Sequence, residues 1–102
     1  MHELVRRRLA QIEALCRTLD VRRLDLFGSA AEGTFDPETS DVDVLAEFIG
    51  GDGFDYLGTH FALKEGLEQI LGRPVDVVSA TSIRNPYFRE RVMRTRELLY
   101  AA

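Results

Sequence analysis

The chain has 102 residues, 45% of them hydrophobic and 29% charged, which is ordinary soluble composition and enough for one modest core. Its formal net charge of −4 excludes a domain held on nucleic acid by bulk electrostatics, since that needs clustered Lys and Arg. A lone cysteine excludes a disulfide framework, no apolar run approaches transmembrane length, and Met1-His2-Glu3-Leu4 lacks a signal-peptide pattern; the expectation is a cytoplasmic protein with a single domain over residues 1–102.

Val5, Leu9, Ile12, Cys16 and Leu19 recur at helical spacing, so residues 3–19 are predicted as one amphipathic helix, with Cys16 a small buried hydrophobe on its apolar face. The Arg6-Arg7-Arg8 run falls on the solvated side. Residues 23–28 read as a strand running into Gly28-Ser29, and Gly33 lies in the loop beyond. Residues 41–48 read as a second strand, with Asp41, Asp43, Leu45 and Glu47 on one face and Val42, Val44, Ala46 and Phe48 on the other. Gly50-Gly51-Asp52-Gly53 is a loop, with Phe54 and Tyr56 beside it expected in the core. Residues 55–71 form a predicted helix that stops at Gly72. Residues 75–79 form a short buried strand. Asn85 caps a last helix with Pro86 at its first position; Arg89, Arg91, Arg94 and Arg96, interleaved with Glu90 and Glu97, are expected to pair on its solvent face.

The order is α-β-loop-β-α-β-α, an α+β arrangement. Asp41 and Asp43 open the second strand, Asp76 opens the third, and Gly28-Ser29 closes the first. If these serve one site, strands two and three run parallel, joined by the 55–71 helix as a right-handed crossover, and strand one runs antiparallel to strand two. The prediction is a small mixed sheet of three strands, or four, with helices on its apolar face and the site at one end of its acidic face.

Two carboxylates side by side on an apolar strand repel each other and lose solvation, and a bound divalent cation is the simplest compensation. Three that converge can hold two Mg²⁺ or Mn²⁺ ions about 4 Å apart, a pair that clamps the attacking and leaving oxygens of an in-line phosphoryl displacement. Asp41, Asp43 and Asp76 are therefore the candidate metal ligands and catalytic residues. The Gly28-Ser29 turn can bring backbone N–H groups and a hydroxyl close to phosphates, and Gly33 leaves the loop free to adopt positive φ. Ser40 reads first as a turn residue and joins Gly28, Ser29 and Gly33 as a nucleotide-binding candidate. Together these parts read as a nucleotidyltransferase: a nucleoside triphosphate loses pyrophosphate, and the nucleotidyl group passes to a hydroxyl.

Gly-Ser, then Asp-x-Asp, then a third Asp on a later strand resembles the DNA polymerase β nucleotidyltransferase superfamily. Residues 26–48 (LFGSAAEGTFDPETSDVDVLAEF), 72–79 (GRPVDVVS) and 85–102 (NPYFRERVMRTRELLYAA) resemble its minimal nucleotidyltransferase branch, in the right order and over most of the chain. The resemblance implies the nucleotidyltransferase fold, ATP as substrate with Mg²⁺ or Mn²⁺, and an antitoxin whose partner is a helical HEPN-type ribonuclease toxin, silenced by transfer of AMP to a tyrosine. It also implies that Asp41 and Asp43 bridge both metals, while Asp76 binds the catalytic metal and helps deprotonate the acceptor. The same residues leave open an antitoxin that acts by binding alone, and a stand-alone enzyme for a small molecule or an RNA end. Where the branch often carries Arg or Lys before the second glycine, this chain has Glu32, which opposes triphosphate charge; Lys64, Arg73 and Arg84 are the other cations considered.

Overall fold

A computed structural model describes residues 1–32, 36 and 41–102, the side chain of Glu32 excepted. Strands β1 (Val21–Phe27), β2 (Val42–Phe48), β3 (Val75–Ser79) and β4 (Glu97–Ala101) pair in the order β3-β2-β1-β4. β1 is antiparallel to both its neighbours, and β2 is parallel to β3. A parallel pair needs a crossover, and helix α4 (Tyr56–Leu71) supplies it. The other described helices are α1 (Glu3–Arg6), α2 (Leu9–Thr18), α3 (Ser29–Glu32) and α5 (Pro86–Thr95). The mixed sheet and the α4 crossover are as the sequence predicts.

Strand alternation sorts the side chains into two layers. Leu24, Leu26, Val42, Val44, Ala46, Val75 and Val77 form one face and pack with Ile12 and Cys16 of α2 and Leu63, Leu67 and Leu71 of α4. Burial, and then Glu13, pushes the Cys16 thiol up to about 12, so it behaves as the small hydrophobe its position predicts. Phe27 and Leu45 look to the other face and pack with Val92 of α5. The acidic face therefore carries its own helix, where the sequence reading put helices on the apolar face alone.

The predicted 3–19 helix is two helices. His2 accepts a hydrogen bond from the Leu4 N–H and starts α1, while the Arg8 N–H bonds to the Val5 carbonyl at 3.0 Å and tightens the chain into a turn. Val5 and Ile12 are both fully buried across this break, so apolar spacing did not register it. Gly72, at φ +67°, ends α4 where predicted. Asn85 accepts from the Tyr87 and Phe88 N–H groups, with Pro86 opening α5.

The last helix stops earlier than the arginine-glutamate pattern suggests. Arg96 turns extended and residues from Glu97 onward become β4, the fourth strand, with Leu99 buried. Glu97 receives the N-terminal amine of Met1 at 2.9 Å and belongs to this strand, not to α5. At the opposite sheet edge, Glu68 accepts from the Val75 N–H at 3.0 Å and Lys64 donates to the Val75 carbonyl at 2.6 Å, satisfying backbone groups of an edge strand. No described helix is long and apolar enough to cross a membrane.

Asp25, in the middle of β1, is only 1% exposed. Its carboxylate accepts from Arg23 Nε at 2.9 Å, from Arg23 Nη2 at 3.1 Å and from Arg96 Nη1 at 3.4 Å. The pairing ties the α5–β4 junction to the sheet. Asp25→Ala removes the shared acceptor and should cost about 2–3 kcal/mol, below the range for a wholly buried pair because both arginines reach solvent. Urea unfolding at neutral pH measures this; a loss under about 0.5 kcal/mol would mean the junction is held by packing alone.

Candidate active site

β1 ends at Phe27, the register partner of Asp43, and the next residue, Gly28, has φ +71°. That conformation is poorly tolerated by residues with a side chain. A Cβ here would also lie 2.6 Å from Asp43 Oδ2. Gly28 thus gives the chain its turn and leaves room for the Asp43 carboxylate. Ser29 opens α3, and the Ala31 N–H donates back to the Gly28 carbonyl at 3.1 Å, closing the turn.

On its other side β2 pairs with β3 so that Asp43 is the direct partner of Asp76. In-register residues of a parallel pair share a face, so the topology brings these two carboxylates together from positions far apart in sequence. Asp41 precedes β2 by one residue and is exposed, as is Asp76. Asp43 is half-buried, and desolvation, then the charge of Asp76, then that of Asp41, push its carboxyl up to about 6. Among the described residues, no three His, Cys, Asp or Glu side chains are gathered closely enough to hold an ion as they stand. The donor set nevertheless suits a hard divalent cation: only carboxylate oxygens, with repulsion at Asp43 that a cation would relieve. Gly33 and Ser40 lie outside the described residues, as does the side chain of Glu32.

A cavity of about 220 Å³ opens beside Asp43. Phe27, Gly28 and Asp43 line it from the sheet; Phe88, Arg91, Val92 and Thr95 line it from α5. The α5 residues are spaced i, i+3, i+4 and i+7, one helical face. Sequence reading missed this wall because it treated the α5 arginines as a group. Arg94 does pair with Glu90, at 3.8 Å, on the solvent side. Arg89 instead donates to the Ala80 carbonyl at 3.2 Å, Arg96 turns inward to Asp25, and Arg91 faces the cavity. The face was legible had Phe88, Val92 and Thr95 been set on one wheel with Arg91. Of the three cations considered earlier, Lys64 is committed to Glu68 and Val75, and none of the three lines this cavity. Phe54 and Tyr56 lie near Phe48, at the far end of β2, roughly 16 Å along the strand from Asp43. Tyr56 is 57% exposed, not in the core as expected.

A mixed sheet with a Gly-Ser turn at the end of β1, facing paired aspartates at the starts of two parallel strands, defines a nucleotidyl-transfer scaffold. The chain belongs to the nucleotidyltransferase domain family, whose model matches residues 9–99. Its place within that family is the minimal nucleotidyltransferase branch. A solved structure described as "Structure of putative minimal nucleotidyltransferase" is 37% identical, covers 95% of each chain and superposes with a TM-score of 0.77. The Methanocaldococcus jannaschii protein named "Putative protein adenylyltransferase MJ1379" is 36% identical over 80 residues, 78% of this chain and 76% of its own. The likeness extends, as fold alone, to a chain of the structure of a tri-AMPylated Shewanella oneidensis HEPN toxin in complex with MNT antitoxin, at 20% identity and a TM-score of 0.65 over 95% of this chain and 72% of that one.

The raised Asp43 carboxyl has a stability consequence in cation-free protein. Its folded value, about 6, lies above the ordinary 3.8, so the folded state is favoured below pH 4 and loses that contribution as pH rises through 6. Asp43→Asn should therefore stabilise the protein by about 1 kcal/mol at pH 8, after discounting for solvent screening, and by nothing measurable at pH 4. Urea unfolding at the two pH values in EDTA tests the sign.

Gly28→Ala should cost about 1–2 kcal/mol from the left-handed backbone, and more from the clash with Asp43. Adding Asp43→Ala should recover the second part and leave the first. A double-mutant cycle by denaturation separates them, and purely additive losses would mean that the carboxylate moves aside freely.

Proposed function

We propose that this protein is a metal-dependent adenylyltransferase that passes AMP from ATP to a tyrosine hydroxyl of a HEPN-type toxin and serves as its antitoxin. The observation that carries the reading is the register of Asp43 with Asp76 across β2 and β3, opposite a glycine that makes room for the Asp43 carboxylate. The names of its relatives support protein as acceptor and a HEPN toxin as partner.

Asp41, Asp43 and Asp76 are the residues that would hold Mg²⁺ or Mn²⁺, two ions in the full complement. Such ions supply charge neutralisation for the triphosphate and activation of the incoming oxygen. Gly28 and Ser29, with Gly33 and Ser40, cradle the phosphates. The tyrosine oxygen bonds to the α-phosphorus, the bond from that phosphorus to the bridging oxygen breaks, and pyrophosphate departs with the bridging electron pair. Asp76, exposed at the start of the edge strand, takes the phenolic proton.

Incubating a helical HEPN partner with this protein, ATP and Mg²⁺ should raise the partner's intact mass by one adenylyl unit per transfer. EDTA, or Asp41→Asn combined with Asp43→Asn, should abolish the gain while circular dichroism shows the fold retained. Binding without any change of mass would replace transfer with neutralisation by binding. Neither binding nor modification would leave a stand-alone enzyme acting on another hydroxyl.

A further inference from the structure

We infer that Arg91 is the residue through which α5 grips the substrate's polyphosphate. The inference rests on the nucleotidyltransferase reading and extends it to a helix that neither the Gly-Ser turn nor the aspartates include. Two observations carry it. First, Arg91 shares the cavity beside Asp43 with Gly28. Among the described residues lining that cavity it is the sole Arg or Lys. Second, the helix face bearing Arg91 is fixed. Val92, next in sequence, is 2% exposed and packs against Phe27 and Leu45, while Phe88 meets the Phe27 ring edge-on at 6.0 Å.

The electrostatics require such a group. A nucleoside triphosphate brings several negative charges to a face that already holds three carboxylates, in a chain of net charge −4. Metal ions at the aspartates would neutralise only part of that. A planar guanidinium can donate two parallel hydrogen bonds to phosphate oxygens, which a point charge cannot match. The ligand class is therefore a nucleoside triphosphate recognised by its phosphates, with inorganic tripolyphosphate the minimal mimic.

Calorimetric titration of the full chain with ATP, and separately with tripolyphosphate, in Mg²⁺ at low ionic strength tests this. Arg91→Gln should weaken both ligands about tenfold or more, and the difference should shrink as salt is added. Arg91→Lys should recover part of the loss. Arg94→Gln, one turn away on the solvent side, should bind like the parent. If Arg91→Gln binds both ligands within twofold of a parent that itself binds them, the inference fails and the nucleotidyltransferase reading stands. If the parent binds neither ligand, both fall together.

Discussion

Electrostatic repulsion at Asp43 is the constraint around which the rest of the site is arranged. Its carboxylate sits half-buried between Phe27-Gly28 on one side and Asp76 on the other, with Asp41 two residues away. A fold gains nothing in stability from assembling like charges in a partly desolvated place. Around that cost the neighbouring elements are specific. β1 must be followed by a residue without a Cβ, and β3 must align in parallel so that its own aspartate falls beside this one. The parallel pairing in turn obliges a crossover, and α4 spans it with a row of fully buried leucines. The hydrophobic energy of the opposite face carries a site that is unfavourable in isolation.

The two faces of β2 divide these tasks cleanly. Val42, Val44 and Ala46 belong to the large core with α2 and α4, while Asp43 and Leu45 alternate with them on the α5 side. Leu45 is the anchor there: with Phe27 and Val92 it makes a small second cluster that seats α5 next to the aspartates. Asp25 then fixes the end of the helix by holding Arg96. The helix is clamped at both levels, by apolar contact at Val92 and by charge at Arg96, and the same face presents Arg91 and Thr95 to the cavity.

Much of this is legible in the sequence because it follows from local rules. Asp43, alternating with Val42 and Val44 along β2, had to fall on the face opposite theirs. Asn85-Pro86 read as a helix start, Gly72 as a helix stop, and Val75-Asp76-Val77-Val78 as a short buried strand. The Gly-Ser turn pointed to close approach by another group; that one such group is the Asp43 carboxylate follows from the strand register.

Other features were decided by tertiary contact. Residues 97–101 have no alternation that separates a strand from the end of a helix; pairing with β1 and the inward turn of Arg96 to Asp25 made them β4. Apolar spacing across residues 3–19 is equally compatible with one helix or two, and backbone hydrogen bonding at Arg8 set the break. The arginines of α5 look alike in sequence, yet each found a different partner or surface, because their fates depend on which neighbours the sheet brings near. What the sequence determined by itself was the strand carrying Asp43, the turn before it and the helix that follows, since each is dictated by the local pattern of its own segment. Which helix covers that site, and which of its cations faces it, emerged only when non-local packing fixed how α5 lies against β1 and β2.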